Sequence, residues 1–200
     1  MGFIVRDEWA VKTRKAYTQL STVPQYELTE VDLKTAKDAA EEDQEYNRRV
    51  GAKPHGSNDP KVLLRQTQLG YCGEIAVCAW FTRITGIQCD WKHEPGNYKA
   101  RDVLGYQVRT RPKVHYGLNI NPHDRPDDIF ILCKALRGPQ GEPIIYIVGW
   151  RTAKDVMENG DKRDSKSEGH FYTIDTVKPL DTLPMTPERL QHEQSDELPF

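Results

Sequence analysis

The spacing of apolar side chains divides the chain into a helical first part and a strand-rich second part. Apolar residues recur at three- and four-residue intervals from Leu69 to Ile84, which predicts a helix with one buried face. Gly86 follows and is expected to end this helix. The segment is therefore the best candidate for the central core helix, and Glu74 is its only acidic residue.

Two helix starts precede this apolar segment. Thr29, with Asp32 three residues later, predicts a capping box that opens a polar helix ending near Arg49. Asp59 followed by Pro60 predicts a second N-cap, with proline at the first helical position. The first of these helices is rich in charged residues, so we expect it to lie outside the centre of the core.

After the central helix the pattern changes to short apolar runs separated by turns, which predicts strands. The predicted strands are Ile87–Trp91, Tyr98–Val103, Tyr106–Thr110, Leu118–Ile120, Ile129–Ala135, Ile144–Trp150 and His170–Ile174. The fifth and sixth are nearly continuous apolar runs, as expected of strands covered on both faces, and the glycine-rich turn between them predicts a hairpin. Thr152 is expected to cap a short helix, whereas the stretch from Gly160 to Gly169 has no apolar side chain and predicts a loop.

Helices first and strands later predict a single α/β or α+β domain with a mixed central sheet flanked by helices. We expect a helical N-terminal extension over 1–58, the α/β core over 59–183 and a polar tail over 184–200. Only 37% of residues are apolar and the mean hydropathy is -0.73, so the core must be concentrated in few segments. A net charge of -2 argues against nonspecific coating of nucleic acid, but permits a local basic groove.

The cysteines form neither a CxxC pair nor a cluster with zinc spacing, which predicts buried free thiols. They are Cys72, Cys78, Cys89 and Cys133. The chain also has no charged-then-apolar leader and no apolar run approaching the ~20 residues that a membrane span requires. These features predict a soluble cytoplasmic protein without a membrane partner.

The most informative chemistry lies where an acid precedes a tight turn and a strand. Asp102 is followed by a glycine-containing turn and then by Gln107, Val108 and Arg109. Because side chains alternate along a strand, Gln107 and Arg109 project from one face. The Asp102 carboxylate, the Gln107 amide oxygen and the Val108 carbonyl could hold Mg²⁺ or Mn²⁺, with Glu74 nearby and Arg109 holding a phosphate.

Each of these residues also has an ordinary structural interpretation. Glu74 could be a helix-surface residue or a salt-bridge partner, and Asp102 could be a turn residue. Arg109 continues an alternating basic pattern with Arg111 and Lys113, which could follow a phosphate backbone. A charged edge strand that resists aggregation would show the same pattern.

Five segments together resemble the PD-(D/E)XK nuclease superfamily, in the style of small phage-encoded members. They are the helix run GYCGEIA around Glu74, then Asp102, the run QVRT from Gln107, the run DIFIL from Asp128 and the run IVGW ending at Trp150. The resemblance covers Leu69 to Trp150. It implies a restriction-endonuclease-like core in which Glu74, Asp102, Gln107 and Arg109 occupy the catalytic and metal-binding positions.

The resemblance implies a metal-dependent nuclease that acts on DNA phosphodiester bonds, phage-encoded and present in the host cytoplasm. Two positions depart from the usual pattern: Gln107 replaces an acid and Arg109 replaces a lysine. A guanidinium stays protonated and cannot act as a general base, although it can bind phosphate. The alternative is a catalytically degenerate module that binds DNA or a host or phage protein. A third hypothesis is an α/β domain in which the motif match is accidental.

Overall fold

The computed structural model describes residues 20–52, 59–96, 102–137, 143–165 and 169–185. It contains two long helices, α1 (Glu30–Val50) and α2 (Pro60–Thr85), and a short helix, α3 (Ala153–Asn159). The strands are β1 (Gln25–Glu27), β2 (Gln107–Arg111), β3 (Leu118–Ile120), β4 (Ile129–Arg137), β5 (Pro143–Thr152), β6 (Asp161–Ser165) and β7 (Gly169–Ile174). No helix in these ranges is long and apolar enough to cross a membrane.

Both long helices begin at the predicted capping residues, and α2 also ends at the predicted glycine. The Thr29 hydroxyl accepts a hydrogen bond from the backbone N–H three residues further on, at 3.1 Å. The Asp59 carboxylate accepts one from the Lys61 N–H at 2.8 Å. Gly86 ends α2 in the left-handed conformation with φ 71°, which suits glycine because it lacks a side chain. The second capped start and the apolar segment therefore belong to one helix.

The strands form two sheets that differ in the number and direction of their strands. The four-stranded sheet has the order β1-β5-β4-β2, in which β2 runs parallel to β4 and the other neighbours are antiparallel. The three-stranded sheet has the order β3-β7-β6 and is antiparallel throughout. The mixed sheet with flanking helices confirms the predicted α+β class.

Strand β4 is the centre of the molecule because both of its faces are covered. Ile129, Ile131 and Cys133 pack with α2 in the larger apolar cluster. Phe130 and Leu132 point the other way and pack with α3 and β3 in the smaller cluster. This two-sided burial explains the continuous apolar run in the sequence.

One predicted loop is a strand. Residues 161–165 form β6, which pairs antiparallel with β7, so the prediction of a loop across this stretch was wrong. β6 is the outer strand of its sheet, and Asp161, Lys162, Arg163 and Asp164 are exposed. An edge strand with exposed side chains shows no alternation of apolar and polar residues. Its hydrogen bonds to β7 keep it extended, and burial of its side chains is not needed.

The predicted strand at Ile87–Trp91 is also wrong, since these residues form no strand. Two contacts attach this segment to the last turns of α2. The Cys89 N–H donates a hydrogen bond to the Thr82 hydroxyl at 3.0 Å, and Cys78 and Cys89 form a disulfide. The disulfide overturns the prediction of free thiols for these two cysteines. Cys72 and Cys133 are free and buried, as predicted.

Several predicted features lie wholly or partly outside the residues that the structure describes. The segment 97–101, the 138–142 turn and the residues before 20 and after 185 are not described. Strands β4 and β5 nevertheless pair antiparallel, as the predicted hairpin requires. Thr152 caps α3 by accepting from the Asp155 N–H at 3.2 Å, which confirms the predicted short helix.

Candidate active site

Helix α2 carries Glu74 to the edge of the four-stranded sheet. The preceding residue, Gly73, lies so close to β2 that a Cβ atom there would be 1.8 Å from the Thr110 hydroxyl oxygen. Glycine is therefore required for the helix to approach the strand. The Glu74 carboxylate accepts a hydrogen bond from the Trp91 indole N–H at 2.9 Å, which fixes the position of the acid.

A tight turn brings Asp102 back onto β2. Val103 and Tyr106 exchange two backbone hydrogen bonds of 3.1 and 2.8 Å, and between them Leu104 and Gly105 have φ angles of 47° and 77°. Positive φ at both central positions is typical of the hairpin turns that match strand twist. Because of this turn, the Asp102 carboxylate accepts a hydrogen bond from the Val108 N–H at 2.6 Å.

Arg109 supplies the positive charge at this end of β2. Its guanidinium is 4.0 Å from the Asp102 carboxylate and donates to the Val108 carbonyl at 3.4 Å. It also lies 4.9 Å from the centre of the Phe130 ring on the neighbouring strand. The ring holds the guanidinium by a cation–π interaction, and one third of the side chain, 33%, stays accessible to solvent or ligand.

The two carboxyl groups influence each other electrostatically. Burial, followed by repulsion from Asp102, raises the pKa of Glu74 to about 8, while the Trp91 hydrogen bond and Arg109 oppose this rise. Burial also raises the pKa of Asp102, and Arg109 and the Val108 N–H oppose that rise. Both carboxyl groups are therefore harder to ionise than free acids. A cation bound between them would stabilise their charged forms.

Gln107 shares a face of β2 with Arg109 and is half-buried. Within the described residues, the structure shows no hydrogen bond from its amide to Glu74 or Asp102. Electrostatic interactions thus connect three of the four predicted catalytic residues, namely Glu74, Asp102 and Arg109. The contribution of Gln107 stays a prediction.

Two further acids, which no motif in the sequence indicated, influence Asp102. Asp124 and Asp128 both raise the pKa of Asp102 by repulsion. Asp128 is buried and immediately precedes β4, which runs parallel to β2 from the same end of the sheet. The sequence does place Asp128 in a turn directly before the apolar run of β4. Because adjacent parallel strands start at the same edge of a sheet, that position puts Asp128 near the start of β2.

A second group missed from the sequence lies behind Glu74. Asp43 of α1 is buried and accepts a hydrogen bond from the Tyr71 hydroxyl, and its other oxygen is 3.6 Å from the His93 Nε2. His93 stacks on Trp91, the residue that binds Glu74, with ring centres 6.1 Å apart. Asp43 also raises the pKa of Glu74 by repulsion. This group connects the polar helix α1 to the candidate site.

The donor set suits a hard cation only in part. Among the described residues, no three His, Cys, Asp or Glu side chains converge as a metal-binding group. Glu74 and Asp102 offer two carboxylates, and a divalent ion there would need the Val108 carbonyl, the Gln107 amide or water to complete its coordination. Repulsion from Asp102 raises the pKa of Glu74, and a cation bound to both carboxylates would offset that repulsion.

Comparisons of the chain with protein-family models, with curated proteins and with solved structures found no match.

Proposed function

We propose that the protein is a metal-dependent nuclease that cleaves DNA phosphodiester bonds, with Glu74, Asp102 and Arg109 at its centre. The observation that carries this proposal is the electrostatic interaction of two half-buried carboxyl groups, Glu74 on α2 and Asp102 before β2, with each other and with the arginine of β2. Carboxylates hold Mg²⁺ or Mn²⁺, and guanidinium groups hold phosphate, so the three side chains match the charges of a metal-bound phosphodiester.

In this proposal Glu74 and Asp102 hold the ion, together with Gln107 and the Val108 carbonyl. A bound divalent ion offsets negative charge on the phosphate and makes water a better nucleophile. The Trp91 indole N–H orients the Glu74 carboxylate, and the Val108 N–H orients that of Asp102. Arg109, fixed over Phe130, binds a nonbridging phosphate oxygen.

Arg109 cannot accept the proton of the attacking water, because its guanidinium remains protonated. The proposal therefore assigns Arg109 to phosphate binding. The proton passes to solvent or to the phosphate itself, which predicts slower cleavage than a site with a lysine at this position would give.

The test is cleavage of single- and double-stranded DNA by the purified protein with Mg²⁺, with Mn²⁺ and with a chelator. We expect cleavage that needs the metal and that Asp102→Asn and Glu74→Gln abolish. Asp127→Asn is the matched control, since Asp127 is an exposed acid beside Asp128 in the sequence. If no metal supports cleavage of either substrate, or if the two site variants cleave normally, the nuclease proposal is wrong.

One observation favours a second function. The Arg109 guanidinium already lies 4.0 Å from Asp102 and supplies a positive charge where a metal would. This arrangement suits a degenerate site that binds DNA or a partner protein without cleaving DNA. Salt-sensitive DNA binding in the chelator, unchanged by added Mg²⁺ and without cleavage, would support this alternative over the nuclease.

A further inference from the structure

Two cations lie side by side further along the same strand. Arg111 of β2 and Lys134 of β4 are paired in the parallel register, so their side chains project from the same face of the sheet. Lys134 is 4% exposed, and Arg111 is half-buried. Tyr116 flanks Arg111 with its ring centre 5.4 Å from the guanidinium carbon, and Lys113 lies 5.2 Å from the same ring.

These cations have no close counter-ion within the part of the chain that the structure describes. No carboxylate there comes within 4.0 Å of Arg111 or Lys134, and the Arg111 Nε is buried without a hydrogen-bond partner. Asp175 attracts Lys134, but from beyond ion-pair distance. Burial, followed by repulsion from Arg111, accordingly lowers the pKa of Lys134 to about 8. Burial, with a smaller contribution from Arg109, also lowers the pKa of Arg111.

A buried cation without a partner costs stability, and most buried charges in proteins are paired. A structural role for Lys134 would be served as well by methionine, which has a similar length and no charge. The presence of two adjacent cations without a close counter-ion is therefore best explained by an anion that binds between them.

The position of the pair identifies the anion. Arg111 lies two residues beyond Arg109 on the same face of β2, about 6.6 Å along the strand at ~3.3 Å per residue. Successive phosphates of a nucleic-acid strand are separated by a similar distance. A strand with one phosphate beside Arg109 would thus place its neighbouring phosphate at Arg111 and Lys134.

We propose that Arg111 and Lys134 form a phosphate-binding site for the group next to the phosphate held by Arg109. This inference deepens the proposed nuclease function and rests on it for the identity of the ligand. The bound group is either an internal phosphodiester or a phosphate at the end of a strand, since both present the same oxygens to the two cations.

The first test uses inorganic phosphate as the probe, in a chelator and at constant ionic strength. Phosphate is expected to raise the melting temperature of the wild-type protein but not that of Lys134→Met. Without phosphate, Lys134→Met should be at least as stable as the wild type, because it removes an unpaired buried charge. Lys162→Met is the control, since Lys162 is an exposed lysine on β6.

The second test measures oligonucleotide binding by fluorescence anisotropy in the chelator. Lys134→Met and Arg111→Gln should each weaken binding about tenfold or more, as expected for a lost charge-assisted hydrogen bond. The slope of log affinity against log salt should fall by about one for each variant. Arg111→Gln keeps the test decisive if Lys134→Met does not fold.

Oligonucleotides with a 5′-phosphate, with a 3′-phosphate and with neither distinguish the two sources of phosphate. An equal loss of affinity for all three indicates an internal phosphodiester, whereas a loss confined to one phosphorylated end indicates a terminal group. Unchanged phosphate stabilisation and unchanged oligonucleotide affinity in both variants would overturn the inference. Neither measurement needs cleavage, so a failure of the nuclease proposal leaves its result interpretable.

Discussion

Replacement of Glu74 by glutamine should make the metal-free protein more stable at alkaline pH and change little at acid pH. The folded protein raises the pKa of Glu74 from 4.5 to about 8. The folded state therefore keeps this proton to a higher pH than the unfolded state does. The contribution of Glu74 to stability is fully present below pH 4.5 and is lost as the pH rises through about 8.

The size of the effect follows from the width of this window. At 1.36 kcal/mol per pH unit, the change in pKa corresponds to a loss of about 5 kcal/mol between the two pH limits. Part of the rise is repulsion from Asp102, whose own pKa is raised, and protonation of Asp102 relieves that part. About 4 kcal/mol of the loss falls between pH 5 and pH 9, and relief of the repulsion reduces it further. We therefore expect Glu74→Gln to gain about 2 to 4 kcal/mol over the wild type at pH 9 relative to pH 5.

Urea unfolding of both proteins at intervals from pH 5 to pH 9, in the presence of a chelator, measures this difference. Glutamine keeps an oxygen that can accept the Trp91 N–H, so the comparison isolates the charge. Lys134 also titrates near pH 8, but it is common to both proteins and cancels. A difference between the two proteins that stays constant from pH 5 to pH 9 would refute the reasoning.

The same titration with Mg²⁺ tests the proposed metal site. An ion held by the Glu74 and Asp102 carboxylates stabilises their charged forms, so it should restore the alkaline stability of the wild type. Glu74→Gln should respond less, because it keeps only one of the two carboxylates. An equal response of both proteins would place any bound ion away from Glu74.

Three further predictions concern the framework of the site. Gly73→Ala should lower the free energy of unfolding by about 1 to 3 kcal/mol through its collision with Thr110, and Thr110→Ala in the same chain should recover part of this loss in urea unfolding. Reduction of the Cys78–Cys89 disulfide should lower the free energy of unfolding by about 3 kcal/mol, as expected for a loop of this length. The number of thiols titrated in denaturant should rise from two to four on reduction. Trp91→Phe removes the hydrogen bond that lowers the pKa of Glu74, so that pKa should rise further in an NMR titration.

The sequence predicted the elements whose causes are local. Helix α2 carries its own cap, apolar periodicity and terminal glycine, and β4 carries an apolar run typical of a strand buried on both faces. β6 could not be predicted, because β7 holds it in place and its own side chains are exposed. The Cys78–Cys89 disulfide was missed for a similar reason, since it depends on the path of the chain after α2.

The candidate site shows the same division. The turn after Asp102 and the shared face of Gln107 and Arg109 follow from local pattern, and the turn is confirmed by its hydrogen bonds. The approach of Glu74 to Asp102 depends on how closely α2 packs on β2, which Gly73 permits but no spacing rule measures. The support from Asp43 requires knowing where the polar helix α1 packs.

The charges along β2 explain how the two proposed sites would act together. Acids gather at its start, around Asp102, and cations follow at Arg109 and Arg111 on one face. In the metal-free protein Arg109 partly neutralises Asp102, because it is the nearest cation to that carboxylate among the described residues. A divalent ion at Asp102 would take over this role and leave the Arg109 charge for phosphate. Metal binding and phosphate binding should therefore strengthen each other, whereas a degenerate site would bind phosphate equally well with and without the ion.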